Sequence, residues 1–261
     1  MTIFRFELKR GRRALLVWTA AISFMLGICV LIYPEMSSQI GDISDLFADM
    51  GGFSAAFGMD KINFGELIGY FGVECGNVLG LGGAFFAALL GISILAKEEK
   101  EHTAEFLLTH PISRTSVIAE KLCAAAAQIV ILNMAVIAVT VISMIAIGEI
   151  PPVKTLALLF LAYFLMQLEV TAITFGISSC IRRGSLGIGL GLAAVFYFLN
   201  IIANLMEETA FLKYITPFGY TDGADIIASG ALNGGYLAAG MAFAAAGILF
   251  AFWKYRKKDI A

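Results

Sequence analysis

Charge is scarce in this chain. Of 261 residues only 15% are Asp, Glu, Lys or Arg, where soluble domains carry about 25%. Stretches outside the apolar runs reach only about thirty residues, too short to bury a core of their own, so no soluble domain is expected within the sequence. Histidine is rarer still. His102 and His110 stand eight residues apart with no third ligand at matching spacing, which argues against a metal centre. No nucleophile–base arrangement falls where water can reach it, which argues against a hydrolase. The four cysteines, Cys29, Cys75, Cys123 and Cys180, lie in or beside apolar segments; without metal or redox spacing they read as small apolar residues and not as a disulfide set. The sequence holds no G-x-x-x-x-G-K-[ST] and no Gly-Lys pair, so it has no phosphate-cradling loop for ATP. A net charge of −2 gives no global field for nucleic acid. No internal repeat appears, which weakens the case for a transporter built from repeated halves.

What the chain does contain is hydrocarbon. Hydrophobic residues make up 59% of it and mean hydropathy is +0.86. A helix crossing a bilayer needs about 20 mostly apolar residues, and six stretches qualify: 14–33 (ALLVWTAAISFMLGICVLIY), 66–95, 122–148, 155–181, 185–206 and 235–253. The first is preceded by basic residues, as a secretory leader would be. Its apolar run is too long for one, and Tyr33-Pro34-Glu35 offers no small-x-small cleavage site, so it is read as a retained span. Lys and Arg then alternate across the spans. Fifteen fall on one side and three (Lys61, Lys154, Lys213) on the other; by the positive-inside rule both termini face the cytoplasm. The expected fold is an all-α integral membrane protein: one transmembrane unit over 1–261, with six transmembrane helices and a short cytoplasmic helix between spans two and three.

Local features refine this plan. Residues 1–13 (MTIFRFELKRGRR) read either as an interfacial helix or as a plain basic flank. In the first outer loop Ile43, Leu46, Phe47 and Met50 share one helical face opposite Asp42, Asp45 and Asp49, which predicts a short amphipathic surface helix ended by Gly51-Gly52. The second span is too long. Thirty helical residues would run about 45 Å against a core of about 30 Å, so it tilts, breaks or projects. It carries Gly72, Gly76 and Gly80 in one stripe, a close-packing face within the chain or at a two-fold axis.

Two acids lie inside spans. Glu169 is close to the middle of the fourth, at a cost of about 2.5–3.5 kcal/mol on insertion scales, and no predicted span holds a Lys, Arg or His to neutralise it. It is expected to face the bundle interior, with Asn133 of the third span as a candidate partner and Gln167 nearby. It reads either as a polar spot on a substrate path or at a dimer seam, or as a neutral acid joining helices. Glu74, nearer the outer side of span two, reads more readily as structural.

The most polar stretch, Lys97 to Arg114 (KEEKEHTAEFLLTHPISR), sits in the cytoplasm between spans two and three. As a helix from about 98 to 109 it shows Glu98, Glu101 and Glu105 on one stripe and Ala104, Leu107 and Leu108 on another, beside Phe106. Pro111 ends it, and a new helix starts near Ser113 or Arg114. An acidic helix is a poor fit to the negative inner leaflet, so its apolar face suits a groove on a partner protein. Glu98-Glu99, His102-Thr103-Ala104-Glu105-Phe106-Leu107-Leu108, Pro111-Ile112-Ser113-Arg114 and Lys121 resemble the E-x-G-T-x-E-x-L-L-x-x-P-[IV]-S-R pattern of type 2 ABC transporter permeases, with His-Thr where Gly-Thr is common. Ile215-Thr216-Pro217-Phe218-Gly219-Tyr220 is similar to a Pro-Phe segment that precedes the family's sixth span.

The resemblance implies that 97–114 is a coupling helix touching a separate ATPase through Glu98, Glu101, His102, Thr103, Glu105, Phe106, Leu107, Leu108, Pro111 and Arg114. It implies two permeases, identical or homologous, with two ATPases, and ATP and Mg bound by the partner, with no cofactor in this chain. It also implies export across a bacterial plasma membrane, the short loops leaning towards a peptide or drug-like substrate. A gradient-driven transporter or channel using Glu169 and Glu74, and a scaffold that only docks a signalling partner, are the competing readings.

Overall fold

The computed structural model describes residues 2–37, 52–56, 63, 65–97, 113–181 and 186–257. Among these residues it is helical with no strand, and six helices are long and apolar enough to cross a membrane. The first is α1 (Thr2–Ser37). After a short helix, α2 (Gly52–Ala56), the second crossing is a composite of α3 (Leu67–Cys75), a π-helical stretch (Gly76–Leu81) and α4 (Gly82–Ile94). The others are α5 (Arg114–Ile147), α6 (Val153–Ser178), α7 (Leu186–Leu205) and α9 (Gly234–Lys257). Between α7 and α9 come a 3-10 helix (Glu207–Tyr214) and α8 (Gly223–Ser229). The amphipathic helix expected over 42–50 lies outside the described residues.

Both α1 and α5 overrun a bilayer. At about 1.5 Å per residue their 36 and 34 residues far exceed a core of about 30 Å. They pack against one another. Ile3, Glu7, Leu15, Ile22, Leu26, Val30 and Tyr33 form the buried stripe of α1, at the spacing of one helix face. Residues 2–13 are therefore no separate interfacial helix. They continue span one without a break, and Gly11 lies directly against the Gln128 side chain of α5. Ser113 caps α5, accepting from Ser116 N at 3.1 Å, and Gly148 closes it at φ 78, a left-handed backbone that glycine adopts without steric cost.

At the centre stands α6, whose neighbours include α4, α5 and α9. Buried residues occur all round it, from Leu156 to Ser178, as a bundle's middle helix requires. By contrast α7 and α9 leave large apolar side chains exposed, Phe198 and Leu249 among them. Those faces suit lipid or another apolar surface.

The overlong second crossing breaks. Its π-helical turn spans Gly76 and Gly80, and both glycines face Tyr163 of α6, while Gly72 faces Ile227 and Gly223 of α8. The glycine stripe thus packs inside the chain.

Small residues set the other helix distances as well. A Cβ on Gly176 would meet the backbone of Gly247 on α9, and a Cβ on Gly247 would meet the Ala172 carbonyl. Gly191, on α7, has open space around it. We predict that Gly176→Val, an overpacking change worth about 1–3 kcal/mol, lowers the melting temperature in detergent, whereas Gly191→Val leaves it close to wild type. Equal melting curves for the two variants would contradict this packing.

Candidate functional site

Three polar groupings stand out in a molecule this apolar. The first lies where the segment 97–114 joins the bundle. The acids and apolar residues expected to touch an ATPase, Glu98, Glu101, His102, Thr103, Glu105, Phe106, Leu107, Leu108 and Pro111, lie outside the described residues. Both ends of that segment are described, and both are anchored.

On the entry side, Leu95 N and Ala96 N donate to Ser178 Oγ of α6 at 3.3 and 3.2 Å. On the exit side, Arg114 Nη1 donates to the carbonyls of Tyr255 and Arg256 at 3.5 and 3.4 Å. A cation at the carbonyl end of α9 is favourably placed against the helix dipole.

Between the two ends sits an ion cluster. Lys121 is fully buried and Glu7 nearly so. Lys121 Nζ donates to Glu7 Oε1 at 2.9 Å and to the Ile94 carbonyl at 2.7 Å. Lys97 Nζ lies 3.6 Å from the other Glu7 oxygen, Oε2. One turn away, Phe4 N donates to Glu120 Oε2 at 3.0 Å. Charges moved out of water are costly unless paired and hydrogen-bonded; here each carboxylate oxygen of Glu7 has a cation. The start of span one, the end of span two and the start of span three are thereby held as one body.

The second grouping is intramembrane. Glu169 is buried, and Tyr220 donates to its Oε2 at 2.8 Å; Oε1 has no hydrogen-bond partner. The acid lies against Gly240 of α9, where any Cβ would overlap its carboxylate. Tyr220 comes from the Pro-Phe segment of the last connection, where residues 216–221 are all buried. That connection folds back into the bundle, with Thr216 Oγ1 donating to the Phe196 carbonyl at 2.7 Å.

The partner expected for Glu169 was Asn133. The structure corrects this: Asn133 Nδ2 donates to Gln167 Oε1 at 2.6 Å and to the Ile129 carbonyl at 2.9 Å. Gln167 and Glu169 are two residues apart on one helix, so they point to different sides, and only Gln167 meets α5. Glu74 is half-buried and accepts from Cys29 Sγ at 3.6 Å, tying span two to span one.

The third grouping was not anticipated. Asn77, Tyr197, Asn200 and Asn204 line a cavity of about 60 Å³ with Ala56, Tyr163 and Asp222 around it. Tyr197 OH donates to Asn77 Oδ1 at 3.4 Å, and Asn204 Nδ2 to the Ala56 carbonyl at 3.4 Å. The signal was in the sequence: positions 197, 200 and 204 share one face of a helix. The row faces Asn77, which the π-helical turn carries.

Six helices long and apolar enough to cross a bilayer, with buried polar groups between them, define a multi-pass membrane protein. The sequence model for the ABC-2 family transporter protein matches residues 1–259. The chain therefore belongs to that family of permeases, the membrane parts of ABC transporters, which work with ABC ATPase partners and are not themselves ATPases. Comparison with curated proteins gives no match.

Removing the Tyr220 hydroxyl leaves Glu169 with neither oxygen bonded. Stranding a buried acceptor costs about 1–3 kcal/mol, more for a charged one, whereas replacing both partners by apolar groups is nearly neutral. Tyr220→Phe should therefore lower thermal stability measurably, and adding Glu169→Leu should recover most of the loss. Additive losses in the double variant would show that the two side chains do not act as a pair.

Proposed function

We propose that this chain is the membrane-spanning subunit of an ATP-driven exporter, forming the translocation path while a separate ATPase seats on the elbow at 97–114. The observation that carries the reading is the buried Glu7–Lys121 pair with the Ile94 carbonyl and Lys97. A segment whose two ends are fixed by charge to three spans transmits a displacement to all of them together. A loosely tethered loop would absorb it. The apolar residues Phe106, Leu107 and Leu108 enter the ATPase groove, and Glu98, Glu101, His102, Thr103, Glu105, Pro111 and Arg114 surround them. ATP and Mg are bound by the partner. Two permeases, identical or homologous, act with two ATPases. Nucleotide closure of the ATPase pair pushes each elbow, and the clamp carries the push into spans one, two and three.

The excess of Lys and Arg on one side supports an elbow and both termini in the cytoplasm. The setting is a bacterial plasma membrane, and a peptide or drug-like substrate suits the short outer connections. Glu169 and Tyr220, joining span four to the re-entrant connection, and the Asn77 cavity are the polar elements of the path.

Two measurements test the coupling. With Phe106, Leu107 and Leu108 all changed to Ala, the ATPase should no longer copurify, while the permease still inserts. If the ATPase stays bound, or if none accompanies the wild type, the exporter reading fails. Lys121→Ala leaves Glu7 Oε1 without its cation, only the longer contact to Lys97 remaining, and should cost about 3 kcal/mol. Glu7→Leu combined with Lys121→Met should restore most of that stability. It should nevertheless uncouple, with ATP hydrolysis by the complex no longer stimulated by substrate. A stable double variant with normal coupling would remove the clamp from the mechanism.

A further inference from the structure

The cavity between spans two and five is chemically unusual for its place. Among the described residues its polar side chains are mostly neutral, and no Lys, Arg or His lines it. The one acid among them, Asp222, is already committed: it caps α8 through Ala224 N at 3.0 Å and lies 3.5 Å from Lys213 Nζ. Among these residues a charged ligand would find no free counter-charge. What the cavity does present is carboxamide, from Asn77, Asn200 and Asn204, with the Tyr197 hydroxyl beside them. Each carboxamide offers two donors and an acceptor, the complement of a peptide N–H and C=O.

The hydrogen bonding of this row is incomplete. Asn200 Oδ1 is buried and has no donor. The two contacts the row does make, Tyr197 to Asn77 and Asn204 to Ala56, are both 3.4 Å, long against a usual 2.9–3.0 Å. Buried polar atoms are nearly always satisfied, so a row with one orphan and two stretched bonds is set to exchange partners at low cost.

One of those contacts also shows what the row can hold. The acceptor facing Asn204 is the backbone carbonyl of Ala56, at the end of α2. A peptide group of the chain itself already lies against the site. The volume, about 60 Å³, equals roughly four to six waters at about 10–15 Å³ each. That suits one peptide unit with a small side chain and leaves no room for a bulky one. Gly72, Gly76 and Gly223 form part of the wall, where Gly72 packs against Gly223 and Gly76 against Tyr163.

We infer that the Asn77–Asn200–Asn204 cavity binds a peptide backbone, its acceptor Asn200 Oδ1 taking the ligand N–H and the Asn204 amide giving up the Ala56 carbonyl for the ligand's own. This deepens the exporter reading by naming what the path recognises, the main chain of a peptide with small side chains. Recognition through the main chain makes the site tolerant of sequence among small side chains but selective against esters and sugars.

The test is direct binding to the full-length permease in lipid nanodiscs, read by saturation transfer to the ligand in NMR. Three probes are compared: tri-alanine, its depsipeptide analogue in which an ester oxygen replaces one amide N–H, and trehalose. Tri-alanine should bind. The depsipeptide should bind about tenfold more weakly, as expected when one hydrogen bond worth about 1.4 kcal/mol is lost. Trehalose should give no transfer. Asn200→Ala and Asn204→Ala should each weaken tri-alanine binding about tenfold with melting temperatures unchanged, while Ser229→Ala on α8 binds as wild type.

Equal binding of tri-alanine and the depsipeptide overturns the proposal without any variant. So does trehalose binding that is lost in Asn200→Ala, which would mark a hydroxyl site. Absence of tri-alanine transfer overturns it too. No ATPase takes part in this measurement. Lost binding with the ATPase still copurifying therefore fails the peptide site alone, and lost ATPase with binding intact fails the exporter reading alone.

Discussion

An ammonium and a carboxylate, both withdrawn from water at the base of the bundle, fix how this protein is put together. Lys121 Nζ has Glu7 at 2.9 Å and the Ile94 carbonyl at 2.7 Å. Ions withdrawn from water are tolerated only in such geometry. The pair sets the register of α1 against α5 along their long shared interface, and it pins the end of α4 to both. It also holds residues 2–13 against the bundle, since Glu7 drawn away would leave the buried Lys121 without its carboxylate. These ends of spans one, two and three thus move together or not at all.

Farther into the membrane, surface complementarity replaces charge. Lipid gives helices little hydrophobic reason to associate, so close backbone approach through small residues carries the packing. Gly176 against Gly247 and Gly72 against Gly223 are such contacts. Where glycine also opens space, a large polar side chain fills it: Tyr163 beside Gly76 and Gly80, and the Glu169 carboxylate beside Gly240. The re-entrant connection exploits the same gaps. Tyr163 OH donates to the Thr221 carbonyl at 3.0 Å and Tyr220 reaches Glu169, so the buried hydroxyls on both sides find partners. The asparagine-lined cavity lies where this connection, the π-helical turn and α7 meet, and its long hydrogen bonds contrast with the shorter ones of Tyr163 and Tyr220 beside it.

Much of the architecture was legible in the residues. Six hydropathic runs became six crossings. Ser113, the serine of the Pro-Ile-Ser-Arg stretch, caps α5 at the place expected for a helix start. The excess length of span two resolved as a break. Partnerships were harder to read. Glu169 was assigned to Asn133 because both sit mid-span, but mid-span depth says nothing about azimuth. Gln167, two residues earlier, turned out to face α5. The true partner, Tyr220, lay in a segment that looked like outer surface, since a loop's burial depends on gaps left by other helices. The asparagine row was visible at 197, 200 and 204 but pointed nowhere until Asn77 was placed across from it. The helical stripe expected over residues 98–109 lies outside the described residues.

By itself the sequence determined solvent and class. Apolar runs of about twenty residues can satisfy their backbone in lipid only as helices, and this constraint is local, so it can be read one segment at a time. The family pattern around the elbow is local in the same sense. Only the tertiary structure decided which polar groups meet: Glu7 with Lys121 across 114 residues, Tyr220 with Glu169 across 51, and Asn77 with Tyr197 across 120. Those meetings depend on helix rotation and on the close approaches that glycine allows, and neither is a property of any single segment.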